Sequence, residues 1–355
     1  VHIVLLASSI LWLAYFGRIW ETPITASASW KPDTHTHPVL HILALLAVSI
    51  GLPYFILSST APLLQNWYGR RFPGVSPYRL YALSNLGSLL ALVGYPFLIE
   101  WLLPLRMQAR AWSWTFFGFA LCCGFCAARL PGSGEAEPPA SQPEGLSVSG
   151  IGHVEPPARP ATGRCLLWVG LAACGSTMLL AATNQICLSV AAVPFLWLVP
   201  LSLYLLSFII CFHSERWYQR GVFQPAFALG AALAGIALYH ETNLILLAEI
   251  GIHSFALFAC CMVCHGELAR LKPAPHYLTS FYLLIAVGGA LGGVLVSLLA
   301  TALFSGYWEY HLGLWGSALL VLIVLWRDEN SWLYHCPSWL PILIVMAACL
   351  FPLAL

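Results

Sequence analysis

The chain has 355 residues, of which 60% are hydrophobic and only 8% charged, with 15 Trp and 12 Cys. No stretch of that composition can coat a water-soluble core, so the solvent it is built for is lipid. Fifteen basic side chains against 14 acidic ones leave a net charge of +1, which excludes the strongly positive surface that a nucleic-acid partner requires.

A helix needs roughly 20 predominantly apolar residues to cross the ~30 Å hydrocarbon core. Apolar runs bounded by polar, Pro or charged clusters predict an all-α polytopic membrane bundle of about eleven spans. They fall at 1–20, 39–60, 79–103, 109–130, 165–186, 190–212, 222–240, 244–265, 278–304, 312–326 and 339–355. The first opens on Val1 with no initiator Met and no basic region before it, so it does not read as a signal peptide, and the chain is expected to lack its true beginning. Asp33, His35 and His37 follow as a short external cluster of metal-ligating types with no fourth ligand in view, which reads as solvated loop. Pro53, Pro194 and Pro200 are expected to kink their helices and free carbonyls.

Between Leu130 and Arg164 the composition changes to Pro, Gly, Ser, Ala and Glu, as in Glu135-Ala136-Glu137-Pro138-Pro139. Such a segment buries too little apolar area to offset its ordering entropy, and it reads as a linker. The chain therefore divides into a first membrane half at 1–130 with four spans, a linker at 131–164, a second membrane half at 165–326 with six spans, and a further loop and span at 327–355.

Cytoplasmic loops hold the excess of Lys and Arg. Arg70, Arg71, Arg79, Arg129, Arg159, Arg164, Arg216, Arg220, Arg270, Lys272 and Arg327 fall on one side, and Arg18, Lys31, Arg106 and Arg110 on the other. The bias puts the linker in the cytoplasm of, by expectation, a bacterial cell. Two further spans upstream would give six before the linker and six after it, the layout of a major facilitator transporter truncated at its amino terminus.

Several segments are more specific than hydropathy. They are Pro53-Tyr54-Phe55-Ile56-Leu57-Ser58-Ser59-Thr60-Ala61-Pro62-Leu63-Leu64-Gln65, Ser76-Pro77-Tyr78-Arg79-Leu80-Tyr81-Ala82-Leu83-Ser84-Asn85-Leu86-Gly87-Ser88, Ala182-Thr183-Asn184-Gln185-Ile186, Val193-Pro194-Phe195-Leu196-Trp197-Leu198-Val199-Pro200-Leu201 and Met262-Val263-Cys264-His265-Gly266-Glu267-Leu268-Ala269. Together they resemble the membrane, transporter-like part of bacterial fused spermidine synthase-like proteins. The resemblance implies a soluble aminopropyltransferase-like domain after the membrane part, with a Gly-rich nucleotide-binding turn and acids for a polyamine. Gly288-Gly289-Ala290-Leu291-Gly292-Gly293 has neither a strand before it nor an acid nearby, so it does not fit that turn, and no cofactor is expected. Its overlapping pairs Gly288/Gly292 and Gly289/Gly293 instead suit close approach of another helix.

The candidate chemistry lies in the membrane. Glu249 and His253 are four apart on one helix face, and an ionisable residue near mid-membrane is costly enough to mark a proton relay or a cation-binding pair. The alternative is that Glu249 snorkels outward while His253 makes one interhelical bond. Asn184, Gln185 and Asn85, with Ser84 and Ser88, need partners within the bundle and could line a polar cavity or simply bond helix to helix.

Cys261-Met262-Val263-Cys264-His265 matches the c-type haem pattern, but the charge bias places it on the cytoplasmic side, where haem is not attached. A redox or metal site joining Cys264 and His265 to Cys122, Cys123 and Cys126 is the competing use, against buried inert thiols such as Cys174, Cys187, Cys211 and Cys349. Glu215-Arg216-Trp217-Tyr218-Gln219-Arg220-Gly221 stands where transporters of this layout often carry an Asp-Arg-x-Gly gating motif, from which it departs in its acid and spacing. Interfacial anchoring by Trp217, Arg216 and Arg220 is the other reading.

Three functional classes follow. One is a non-catalytic permease module for a polyamine or another small solute, using Glu249, His253, Asn184, Gln185 and Asn85. Another is a structural or accessory subunit that packs with other membrane subunits. The last is the membrane anchor of an aminopropyltransferase whose catalytic domain, absent from these residues, is lost or comes from a separate chain. The lipid bilayer is the partner common to all three.

Overall fold

The computed structural model describes residues 2–24, 38–72, 77–129, 160–189, 195–239, 245–304, 306, 308–331 and 334–335. Among them the regular structure is helical throughout. Helix α1 is His2–Ile19; α2 (Pro38–Leu46) runs through a π turn at Ala47–Gly51 into α3 (Leu52–Arg71). Helix α4 (Tyr78–Gly94) passes through a second π turn, Tyr95–Ile99, into the short α5 (Glu100–Leu102), and α6 is Leu105–Ala128. Next come α7 (Thr162–Ser189), α8 (Leu198–His213), α9 (Arg220–Tyr239) and α10 (Leu246–Arg270). Helix α11 (Leu278–Val294) continues through a π turn at Leu295–Ala300 into α12 (Thr301–Leu303), and α13 (Trp308–Arg327) closes the order.

Nine helical segments among the described residues are long and apolar enough to cross a membrane. Helix α8, at 16 residues, is a shorter apolar helix that reaches about 24 Å at 1.5 Å per residue. This is the make-up of an integral multi-pass membrane protein. The expected span at 339–355, most of the linker and the Asp33–His37 cluster lie outside the described residues.

Proline acts differently from the expectation at two positions. Pro200 occupies the first turn of α8, where its missing N–H would have no intrahelical partner anyway, so it does not bend the helix interior. Pro53 stands at the start of α3, directly after the Ala47–Gly51 π turn. A π turn widens the helix by one residue, and that relieves the clash between a proline ring and the preceding turn. Pro194 is outside the described residues.

The chain forms two compact units, one of residues 1–74 and 95–158, the other of residues 75–94 and 159–355. In the first, α1 packs against α3 and α6 around Leu6, Leu13, Ile56, Phe116, Ala120 and Cys123. Trp12 of α1 donates its indole N–H to the carbonyl of Val48, within the π turn, at 2.8 Å.

The second unit is the larger. Helix α7 packs on α10, α11 and α13, while α10 also takes α8 and α9. Helix α10 is thereby enclosed, with every residue from Ala259 to Ala269 buried. Glycine explains the closeness of α11: a Cβ on Gly288 would strike the Val169 carbonyl of α7, and one on Gly292 would strike that of Ala173. Gly289 and Gly293 meet nothing within 4 Å, so only one of the two small-residue pairs is used against α7.

Although it precedes the linker, α4 packs on α8 in this second unit. Tyr78 fixes its start by donating its hydroxyl to the Pro273 carbonyl at 2.6 Å, with Lys272 5.5 Å above the ring. Trp168 of α7 donates to the neighbouring Leu271 carbonyl at 3.1 Å, so two aromatic donors hold the chain between α10 and α11.

Candidate functional site

The candidate constellation lies at the carboxyl end of α10. Glu267 is 0% exposed, and an isolated carboxylate cannot remain charged at that depth. Arg220, the first residue of α9, meets it side-on: Nε donates to Oε1 at 2.7 Å and Nη2 to Oε2 at 2.6 Å. Tyr218, in the connection before α9, donates its hydroxyl to Oε1 at 2.8 Å. The remaining Arg220 nitrogen, Nη1, donates to Oδ2 of Asp328, the residue after α13. Arg270 lies 3.9 Å from the same oxygen.

Five side chains from α9, α10, the end of α13 and the α8–α9 connection thus form one ionic lattice. Both oxygens of Glu267 are occupied, and a planar guanidinium is the only side chain that can serve two carboxylates in fixed directions. Burial works against the Asp328 carboxylate, yet its bond from Arg220, the backbone N–H of Asn330 and the nearby guanidinium charges hold it below the usual aspartate value. Burial, reinforced by the Glu267 charge, pushes the Tyr218 phenol well above its ordinary value, so it stays a donor.

Gly266 makes the lattice possible. A Cβ there would overlap the Tyr218 ring, so no larger residue lets that ring lie against α10 with its hydroxyl at Glu267. Arg216 and Trp217 remain exposed, as expected of interfacial anchors, whereas Arg220 is turned inward.

Toward the amino end of α10 the polar contacts continue. His265, also 0% exposed, pairs through Nδ1 with Ser207 of α8 at 2.8 Å and stacks on Phe208 at 3.6 Å between ring centroids. Cys260 donates to Ser317 of α13 at 3.2 Å, and His253 pairs through Nδ1 with the Tyr310 hydroxyl at 3.1 Å.

The residues singled out from the sequence are spread over this unit. His253 is buried, as a member of an inward face should be, but its partner is Tyr310 of α13 rather than Asn184, Gln185 or Asn85. Glu249 sits in the first turn of α10, part-buried. Asn184 is exposed on α7 and Gln185 part-buried beside it. Asn85 donates to the Tyr81 carbonyl of its own helix at 2.9 Å, a local bond that satisfies the amide without a second helix.

Cys261 and Cys264 are sealed among the α7, α8 and α10 side chains, where thioether attachment of a haem has no room. Among the described residues no three His, Cys, Asp or Glu side chains are grouped to hold a metal. Cys122 and Cys126 are exposed on α6, and Cys123 lies in the core of the first unit.

Glu267 and Asp328 escaped the sequence reading. Glu267 stood there only within a resembling segment, and the signal that marks it is an acid inside an otherwise apolar helical run. The chain matches no protein-family model, no curated protein and no solved structure.

Proposed function

We propose that this chain is a non-catalytic, transporter-like membrane module for a small solute, with the Arg220–Glu267–Asp328 lattice as the latch of its closed state. The supporting observation is the fully buried Glu267, held by two Arg220 nitrogens and Tyr218. Apolar residues would pack three helix ends at least as stably, because desolvating the ions offsets most of their attraction. An ionic joint has a different merit: water and counter-ions can replace its partners when it opens, so it holds one state without forbidding another. Its place at the ends of α9, α10 and α13 suits a joint that those helices close together. The layout and the polyamine class follow the resemblance to spermidine synthase-like membrane regions, and a bacterial cytoplasmic membrane is the matching location.

Purified protein in sealed proteoliposomes should accumulate radiolabelled putrescine or spermidine above protein-free vesicles, and Glu267→Gln should change that rate at least several-fold. Equal accumulation with and without protein, across amines, sugars and amino acids, would remove the permease reading.

A second reading rests on Gly289 and Gly293, whose open face suits packing by another transmembrane helix, as in an accessory subunit. Cross-linking from Cys at position 289 in native membranes distinguishes it. A single heterologous product supports the subunit reading, and only lipid-quenched monomer opposes it.

A further inference from the structure

The imidazole of His265 carries an atom that nothing in the latch explains. Its Nε2 is buried and has no hydrogen-bond partner, although Nδ1 is bonded. The protonation pattern follows from Ser207. A serine hydroxyl has one proton, and Ser207 Oγ is placed to donate it to the Tyr204 carbonyl at 2.7 Å while also lying 2.8 Å from Nδ1. If Nδ1 carries the imidazole proton, both contacts are hydrogen bonds; if Ser207 donates to Nδ1 instead, one is lost and an N–H is stranded at Nε2. The first arrangement makes two bonds and the second makes one, so Nε2 presents a bare lone pair.

That lone pair points at α7, where Gly175 admits it: a Cβ at Gly175 would sit 3.0 Å from Nε2. Around it are ring carbons, with Phe208 stacked on the imidazole and Tyr204 edge-on at 5.0 Å. A neutral acceptor sealed from water is suited to a protonated amine, which offers N–H donors to the lone pair. Two residues along the same helix, Glu267 is clamped by Arg220 and Tyr218.

Building on the transporter reading, we infer that His265 Nε2 is a substrate-contacting acceptor for a primary ammonium group, closed over by Gly175 in this conformation and uncovered when α7 and α10 part. The test uses the full chain in lipid nanodiscs with 15N-labelled histidine, the His265 signals identified by their loss in His265→Gln. Nε2 should report an unprotonated nitrogen at rest and move toward the hydrogen-bonded position when putrescine is added, more so in Glu267→Gln. In uptake, His265→Asn, which retains a donor toward Ser207 but lacks Nε2, should lose putrescine transport at least tenfold. His265→Gln, whose amide reaches the Nε2 position, should recover part of it.

A proton on Nε2 at rest, or an Nε2 signal unmoved by putrescine in both wild type and Glu267→Gln, overturns the inference. So does full transport by His265→Asn, which leaves the permease reading standing. A putrescine-dependent Nε2 shift with no uptake does the reverse, supporting the binding site and removing the permease.

Discussion

Arg220 and Glu267 face each other as two parallel N–H···O bonds of 2.7 and 2.6 Å, made where Glu267 has no contact with solvent. Removing one partner of such a pair leaves a buried charge and typically costs about 3–5 kcal/mol. Here Asp328 still faces Arg220, so Glu267→Ala is expected to cost less, about 2–3 kcal/mol. Glu267→Met paired with Arg220→Met should restore part of the loss, because neither member of the buried pair is then left alone, and the part-exposed Asp328 keeps Arg270 at 3.9 Å. Thermal unfolding in detergent checks both, and a double variant less stable than either single one would show that the pair contributes net stability rather than state selection.

The same lattice sets a pH dependence at its acidic edge. The folded Asp328 carboxyl titrates below 3.8, its ordinary value, so the bond to Arg220 stabilises the fold fully above that pH. As pH falls through the lowered value, the carboxylate is protonated in both states and its contribution disappears. Wild type should therefore be more stable than Asp328→Asn at pH 6 to 7, and the difference should shrink toward zero below pH 3.8. A difference that grows on acidification would mean Asp328 is not held in its charged form by Arg220.

Much of the helical character was legible because an apolar run of helix length has few other uses, although α3 runs on to Arg71 and the described part of the run at 190–212 turns helical as α8 only from Leu198. The latch was not legible. Its partners are 47 residues apart for Arg220 and Glu267 and 108 for Arg220 and Asp328, and no local pattern encodes such pairing. Arg220 read as an interfacial anchor in preference to a gate, although charge near a span end suits both. Asn85 illustrates a related difficulty. A carboxamide in an apolar run needs a partner, but its own helix can supply one, as Tyr81 does for Asn85.

Gly266 tests whether the Tyr218 ring must lie against α10. An added methyl overlaps the ring, and since Gly266 is enclosed in helix the backbone has little freedom to retreat. Gly266→Ala is expected to cost about 1–3 kcal/mol by overpacking and to weaken the Tyr218–Glu267 bond. Tyr218→Phe removes only the hydroxyl, a bond to a charged acceptor worth roughly 1.5–3 kcal/mol. If the two act through the same contact, Gly266→Ala in the Tyr218→Phe background should lose less than it does alone. Simple additivity would place the strain elsewhere.

The glycines of α11 give a prediction that sequence could not make, since Gly288, Gly289, Gly292 and Gly293 are interchangeable by spacing. Only Gly288 and Gly292 are pressed against α7, where a methyl would enter the carbonyl positions of Val169 and Ala173. Those carbonyls belong to a continuous helix and cannot rotate away, so accommodation requires α11 to move outward along its length. Gly288→Ala and Gly292→Ala should each lower stability by about 1–3 kcal/mol, the usual range for overpacking. Gly289→Ala and Gly293→Ala meet open space and replace the poorest ordinary helix former with the best, so each should be neutral or gain up to ~1 kcal/mol. Thermal melts of the four variants in one detergent decide it. Equal losses at all four would mean that Gly289 and Gly293 are covered in the membrane by another helix, which would favour the accessory-subunit reading over a module that acts alone.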